Sequence, residues 1–199
     1  MRKGQMLVIT AIIVVTVLIL IKVEFGFFAP ITERNEANIL NTFENIRNEL
    51  IRAGEITAST RNYTNVYAFS EFLSSEEDLE IFYSISDFYN DTLNITAVNF
   101  LNDTIQNIQI SQNLTDETKT ITSLSKGASD WVNFTSSPGS EEIVEVNITY
   151  TKDANNFNHS FITKAGPNNR YINTFFDFTL KQDDSYLRDK FSTTGELIK

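Results

Sequence analysis

Eight asparagines of this chain stand where an N-linked glycan can be attached. Asn62, Asn90, Asn94, Asn102, Asn113, Asn133 and Asn147 each open an Asn-x-Thr triplet, and Asn158 opens Asn-His-Ser. The chemistry is transfer of an oligosaccharide to the side-chain amide, which needs an exported chain and a surface position. At the frequencies of Asn and Thr found here, chance supplies only about two Asn-x-Thr triplets. Seven are present. The competing explanation, a compositional excess of Asn and Thr, would leave the sequons unused.

Other chemistry is sparse. His159 is the only histidine, so a histidine-based metal cluster is excluded and any Ser-His-Asp triad would have to be built on this one ring. It lies in FNHSF, in phase with Phe157 and Phe161, and is read as a packed histidine. Asp183 with Asp184, and Asp153 with Asn155 and Asn156, lack the spacing of an EF-hand loop and are read as solvated turns rather than Ca²⁺ ligands. The absence of cysteine excludes disulfides and thiolate metal sites. Only 7 glycines are present and none forms a phosphate-cradling loop. No cofactor is implied, and the inventory predicts a structural protein rather than an enzyme. A net charge of -10 and a pI near 4.6 argue against nucleic acid as a partner.

The elements that must carry the sequons begin with an apolar run, Met6 to Ile21, behind Arg2 and Lys3. At about 1.5 Å per residue, Met6 to Phe28 makes a helix of roughly 35 Å, enough for a ~30 Å hydrocarbon core. Lys22 and Glu24 fall near its end, where a lysine can snorkel to the head groups. The cations at the short end put the N-terminus inside and the remainder outside. A cleavable secretory signal fits poorly, because KVEFGFFAP offers no small-x-small cleavage site. The lipid bilayer is therefore an expected partner through Met6 to Phe28, with the C-terminal part extracellular and carrying the N-linked glycans. Roughly 170 residues remain outside, enough for one domain with a stalk.

Arg2-Lys3-Gly4-Gln5 resembles the class III signal of archaeal pilins and archaellins, in which a short basic leader ending in Gly is removed before an apolar helix. The resemblance implies cleavage between Gly4 and Gln5, with Gln5 as the mature N-terminus, and packing of the helix among copies of itself in a filament. Ile9 stands where many pilins carry glutamate. The alternative is an uncleaved signal anchor.

From Ile31 to Gly54 a helix is expected, with Thr32 as cap, acidic residues in its first turn and Gly54 as its C-terminal stop. Ile39, Phe43, Ile46 and Leu50 form its apolar stripe; an opposite stripe of asparagines is read as solvated. A second helix is expected over Asn62 to Leu73, while Leu79 to Phe88 reads either as a helical turn or as a first strand.

From about Leu93 the period changes to two. Leu93, Ile95 and Ala97 share a face, Ile108 and Ile110 alternate with Gln109, Val132 and Phe134 flank Asn133, and Val144, Val146, Ile148 and Tyr150 alternate with Glu145, Asn147 and Thr149. Ile172, Thr174, Phe176, Phe178 and Leu180 alternate with Asn173 and Asp177, which are expected to face water. Trp131 is opposite in phase to Val132 and is read as packed beneath the helical stalk. Turns are expected at Asn102-Asp103, Lys126-Gly127, Ser136 to Ser140 and Ala165 to Asn169. Seven or eight short strands without long intervening helices imply a β-sandwich.

ITAVNF (Ile95 to Phe100), Ile105 to Ile110, ITSLSKGASDWVNF (Ile121 to Phe134) and Ile143 to Tyr150 resemble, in type and order, the immunoglobulin-like, cell-adhesion-related domains of archaeal surface proteins. The resemblance implies a fold and a surface setting, not a ligand. The expected architecture is α+β: a leader and transmembrane or filament-core helix over 1–29, a helical stalk over 30–75, and an antiparallel immunoglobulin-like β-sandwich over 76–199. The expected function is a structural pilin-like subunit of an archaeal surface filament, or else a single-pass surface glycoprotein acting in adhesion or envelope architecture, with copies of itself or other surface proteins as partners.

Overall fold

A computed structural model describes residues 38–198 apart from 77, 168, 183 and 184. Gly4, Gln5, the run Met6 to Phe28, the start of the helix expected from Ile31, and the Asp183-Asp184 pair lie outside the described residues. Among the described residues, no helix is long and apolar enough to cross a membrane.

Residues 38–60 form helix α1. Its stripe of Ile39, Phe43, Ile46 and Leu50 is buried, as the spacing requires. Gly54 does not end it. The helix continues until Arg61, whose positive φ of 59° makes it the left-handed C′ residue, with its N–H donating to the Thr57 carbonyl at 2.9 Å. Gly54 serves packing instead: a Cβ there would lie 2.3 Å from Thr193 Oγ1. Helix α2 (Tyr63–Glu76) starts at once, because the Asn62 side-chain oxygen accepts from the Thr64 N–H at 3.0 Å, an N-cap.

Nine strands follow among the described residues: β1 (Leu79–Tyr89), β2 (Thr92–Phe100), β3 (Ile105–Gln112), β4 (Thr118–Leu124), β5 (Ala128–Thr135), β6 (Glu142–Lys152), β7 (Asn155–Ala165), β8 (Asn169–Gln182) and β9 (Ser185–Ile198). This is more than the seven or eight expected, and Leu79 to Phe88 resolves as strand. All pairings are antiparallel. One sheet runs β5-β2-β1-β8-β9 and the other β4-β3-β6-β7. Two of the hairpins turn on two residues of positive φ, Asn90-Asp91 and Asp153-Ala154, without glycine. Asn107, also at positive φ, sits where β3 slips register against β6, a bulge.

The core lies between the sheets. Phe82, Phe88, Leu93, Ile95, Phe134, Tyr171 and Phe175 from the first sheet meet Ile108, Ile110, Val144, Val146, Ile148 and Phe161 from the second. The first sheet is buried on its other face as well. Ile81, Tyr83, Ile85, Phe100, Phe176 and Phe178 are all covered there, with the Tyr67 ring of α2 5.2 Å from Phe100 and Arg47 of α1 paired to Asp189 of β9 at 2.6 Å.

Burial on both faces corrects the expected phase of β8. Asn173 and Asp177 do not face water; they point between the sheets and are buried, while Ile172, Phe176 and Phe178 lie on the opposite, helix-covered side. Trp131 also departs from expectation. It is 59% exposed, because it lies on edge strand β5 whereas α2 packs on β1 and β2.

Candidate functional site

The fold brings charged residues from β1, β6, β8 and β9 to one cleft at the margin of the sandwich. Its cavity of about 180 Å³ is lined by Glu80, Tyr150, Lys152, Phe157, Asp177 and Arg188, among others. Glu80 is held by Lys152 at 2.7 Å and Lys181 at 2.5 Å, and Lys152 also reaches Asp103 at 3.4 Å. Asp177 takes both arms of the Arg188 guanidinium, Nε donating at 2.8 Å and Nη2 closing the fork. A bidentate pair of this kind fixes geometry as well as charge.

The titration behaviour follows from these contacts. Burial raises the Glu80 carboxyl, but hydrogen bonds from Lys152 and Lys181 outweigh it and hold the pKa below its ordinary value. Lys152 is the mirror case: burial favours loss of its proton, and Glu80 more than reverses that. The hydrogen bond to Asp177 likewise raises Arg188.

His159 packs behind two of the lining residues, Asp177 and Tyr150. Its side chain is wholly buried, with ring centroids 5.4 Å from Phe82, 5.2 Å from Tyr150 and 5.4 Å from Phe175. The Lys190 ammonium lies 3.2 Å from Nδ1; an ammonium can only donate, so Nδ1 accepts and the proton of the neutral ring sits on Nε2, 3.5 Å from Asp177 Oδ2. Burial pulls the pKa down to about 4; Asp177 opposes this and Lys190 and Arg188 reinforce it. The ring is neutral, clamped and out of reach of a substrate. The lining carboxylates Glu80 and Asp177 are each matched by a cation, so the cleft ties β1 to β6 of the second sheet through Glu80 and Lys152, and β8 to β9 through Asp177 and Arg188.

A second cluster fastens α2. Asp87 of β1 receives the Tyr63 hydroxyl and a forked Arg170 guanidinium, whose Nε donates at 2.8 Å. Burial and Asp87 push Tyr63 up to about 12. Neither cluster was read from the sequence. The available signal was a charge in the middle of a long apolar strand, Asp87 in LEIFYSISDFY and Asp177 in NRYINTFFDFTLKQ.

The sequon asparagines are dispersed rather than gathered, and none is buried. Asn62 joins the two helices, Asn90 turns the first hairpin, and Asn102 and Asn113 lie just beyond β2 and β3, all exposed. Asn133 and Asn158 are exposed on β5 and β7; Asn94 and Asn147 are half-buried on β2 and β6. Three are tied into the fold, Asn62 as the N-cap of α2. Asn102 bridges Glu80 and Lys126, and Asn113 accepts from the Glu145 N–H at 2.9 Å. Asn94 and Asn133 are direct cross-strand partners, a pairing their 39-residue separation hides.

Asp153 lies in the tight turn between β6 and β7, and Asn155 and Asn156 open β7, where they bond to Asp153 and Thr151. Among the described residues no group of three or more His, Asp or Glu could hold a metal ion. Compared with known proteins, the chain matches no protein-family model and no curated protein.

Proposed function

We infer that this chain is a structural, pilin-like subunit of an archaeal surface filament, with a glycosylated immunoglobulin-like sandwich as its head. The observation that carries the reading is the position of the sequons: all eight asparagines stand at exposed or half-exposed points of a cysteine-free fold, seven of them on or between the strands of the sandwich. Strand order supports the immunoglobulin-like part. With β1, β2 and β5 taken as strands A, B and E, and β4, β3, β6 and β7 as C′, C, F and G, both sheet orders are those of that fold, with β8 and β9 added beyond A. Met6 to Phe28 supplies the bilayer segment and, after a cut between Gly4 and Gln5, the filament core in which copies of the chain are partners.

N-terminal sequencing of native surface protein, together with electron microscopy, tests this. Gln5 as first residue and fibres that vanish when Gly4 is made bulky are the expected results. Recovery of Met1 or Arg2, with normal display of the Gly4 variant, leaves instead an anchored adhesion or envelope glycoprotein. That second reading is favoured by Lys22 and Glu24, which a filament core must pair.

A further inference from the structure

Trp131 stands on the outer face of edge strand β5, 59% exposed, with Asn133 two residues on along the same face. Across the β2 pairing, Thr96 is its direct partner and Asn94 its diagonal one. Beside it opens a hollow of about 230 Å³ lined by Tyr63, Ile85, Asp87, Asn94, Thr96 and Trp131. An indole left in water beside a pair of sequons is a large apolar surface awaiting a partner that is apolar on one side and polar on the other. A pyranose ring has that character: one face of axial C–H groups and a rim of hydroxyls. The hollow is smaller than the ~300 Å³ at which pockets for drug-sized ligands begin, so it suits a single ring.

We propose that Asn133 is the glycan acceptor of this face and that Trp131 is the platform on which its first sugar lies, with Asn94 as an unglycosylated polar partner beside the hollow. The proposal rests on the glycoprotein reading above. Asn133 is exposed whereas Asn94 is half-buried, and directly opposed residues on paired strands hold their Cβ atoms only about 5 Å apart. Two glycans there would compete for one volume. Folding the sugar back over Trp131 removes apolar area from water that the protein leaves uncovered.

Trp131 is the only tryptophan of the chain, so its fluorescence reports the platform directly. Glycopeptide mapping of native full-length protein would be combined with acrylamide quenching of wild type, Asn133→Gln and Asn94→Gln, all produced in the source cells. The expected result is a sugar on Asn133, none on Asn94, and a severalfold rise in quenching with a red-shifted emission for Asn133→Gln alone. An occupied Asn133 whose loss leaves quenching unchanged overturns the platform and leaves the glycoprotein reading intact. Sugar on other sequons but not on Asn133 does the same. An unmodified chain overturns both.

Discussion

The two sheets of this sandwich are covered differently, and the difference decides how each strand reads. The second sheet meets the core on one face and water on the other, so β6 runs as buried Val144, Val146, Ile148 and Tyr150 against open or half-open Glu145, Asn147 and Thr149. The first sheet is covered by the core on one face and by helices on the other, and in β1 ten consecutive residues are buried. Alternation of polar and apolar residues marks a solvent face only where there is a solvent face. In β8 the same alternation marks something else: Asn173 and Asp177 are polar groups inside the protein, the Asn173 amide donating across the interior to the Ile162 carbonyl at 2.7 Å and Asp177 held by Arg188 of the adjacent strand β9.

The largest test of this contrast is in β6. Val146→Asp puts an unpaired carboxylate into the core at a cost of several kcal/mol, comparable with the ~5–15 kcal/mol stability of a domain, and should leave the sandwich unfolded. Its neighbour change Glu145→Ala should stay within about 0.5 kcal/mol. Thermal melts compare the two, and equal losses would deny the second sheet its solvent face. In β8 no such asymmetry is expected. Phe175→Ala and Phe176→Ala, adjacent and on opposite faces, should each cost about 3–5 kcal/mol, because both leave cavities. A silent Phe176→Ala in denaturant titrations would mean that the helices do not seal that face.

Next in size is the pH response of the interior. His159 in the folded state titrates at about 4, below its unfolded value of 6.5. Between those values the unfolded chain binds a proton that the folded chain refuses. Stability is therefore complete above pH 6.5 and falls through the window to about pH 4, by about 3 kcal/mol in all. His159→Phe, set among Phe82, Tyr150 and Phe175, should flatten that slope; an unchanged slope would assign it to other groups. The smallest effect is expected at the helix that covers β9. Gly54→Ala should lose about 1 kcal/mol although alanine favours helix, because overpacking against Thr193 exceeds the propensity gain. Thr193→Ala removes the clashing hydroxyl and should make Gly54→Ala neutral or stabilising in the same melts.

These expectations divide along the line between local and tertiary information. The stripe of Ile39, Phe43, Ile46 and Leu50, the helix opening at Asn62, the inward phase of Leu93, Ile95, Val132, Val144 and Val146, and the turn at Gly127 were legible in the sequence. Each is set by neighbours within a few residues, through helical or strand period and through the backbone conformation that a residue tolerates. The open positions of Asn133 and Asn158 were legible for the same reason. What covers the outer face of a sheet is not local. It depends on where α1 and α2 come to rest, and so the structure alone decided that Asp177 and Asn173 are interior, that Gly54 is a point of close approach rather than a stop, and that Trp131 stays in the open at the sheet's edge. The ion-paired cleft and the Asn94–Asn133 pair depend on distance in the same way. Glu80 meets Lys152 and Lys181 from 72 and 101 residues away, and Asn94 meets Asn133 from 39, and no periodicity links residues that only a sandwich's crossing connections bring together.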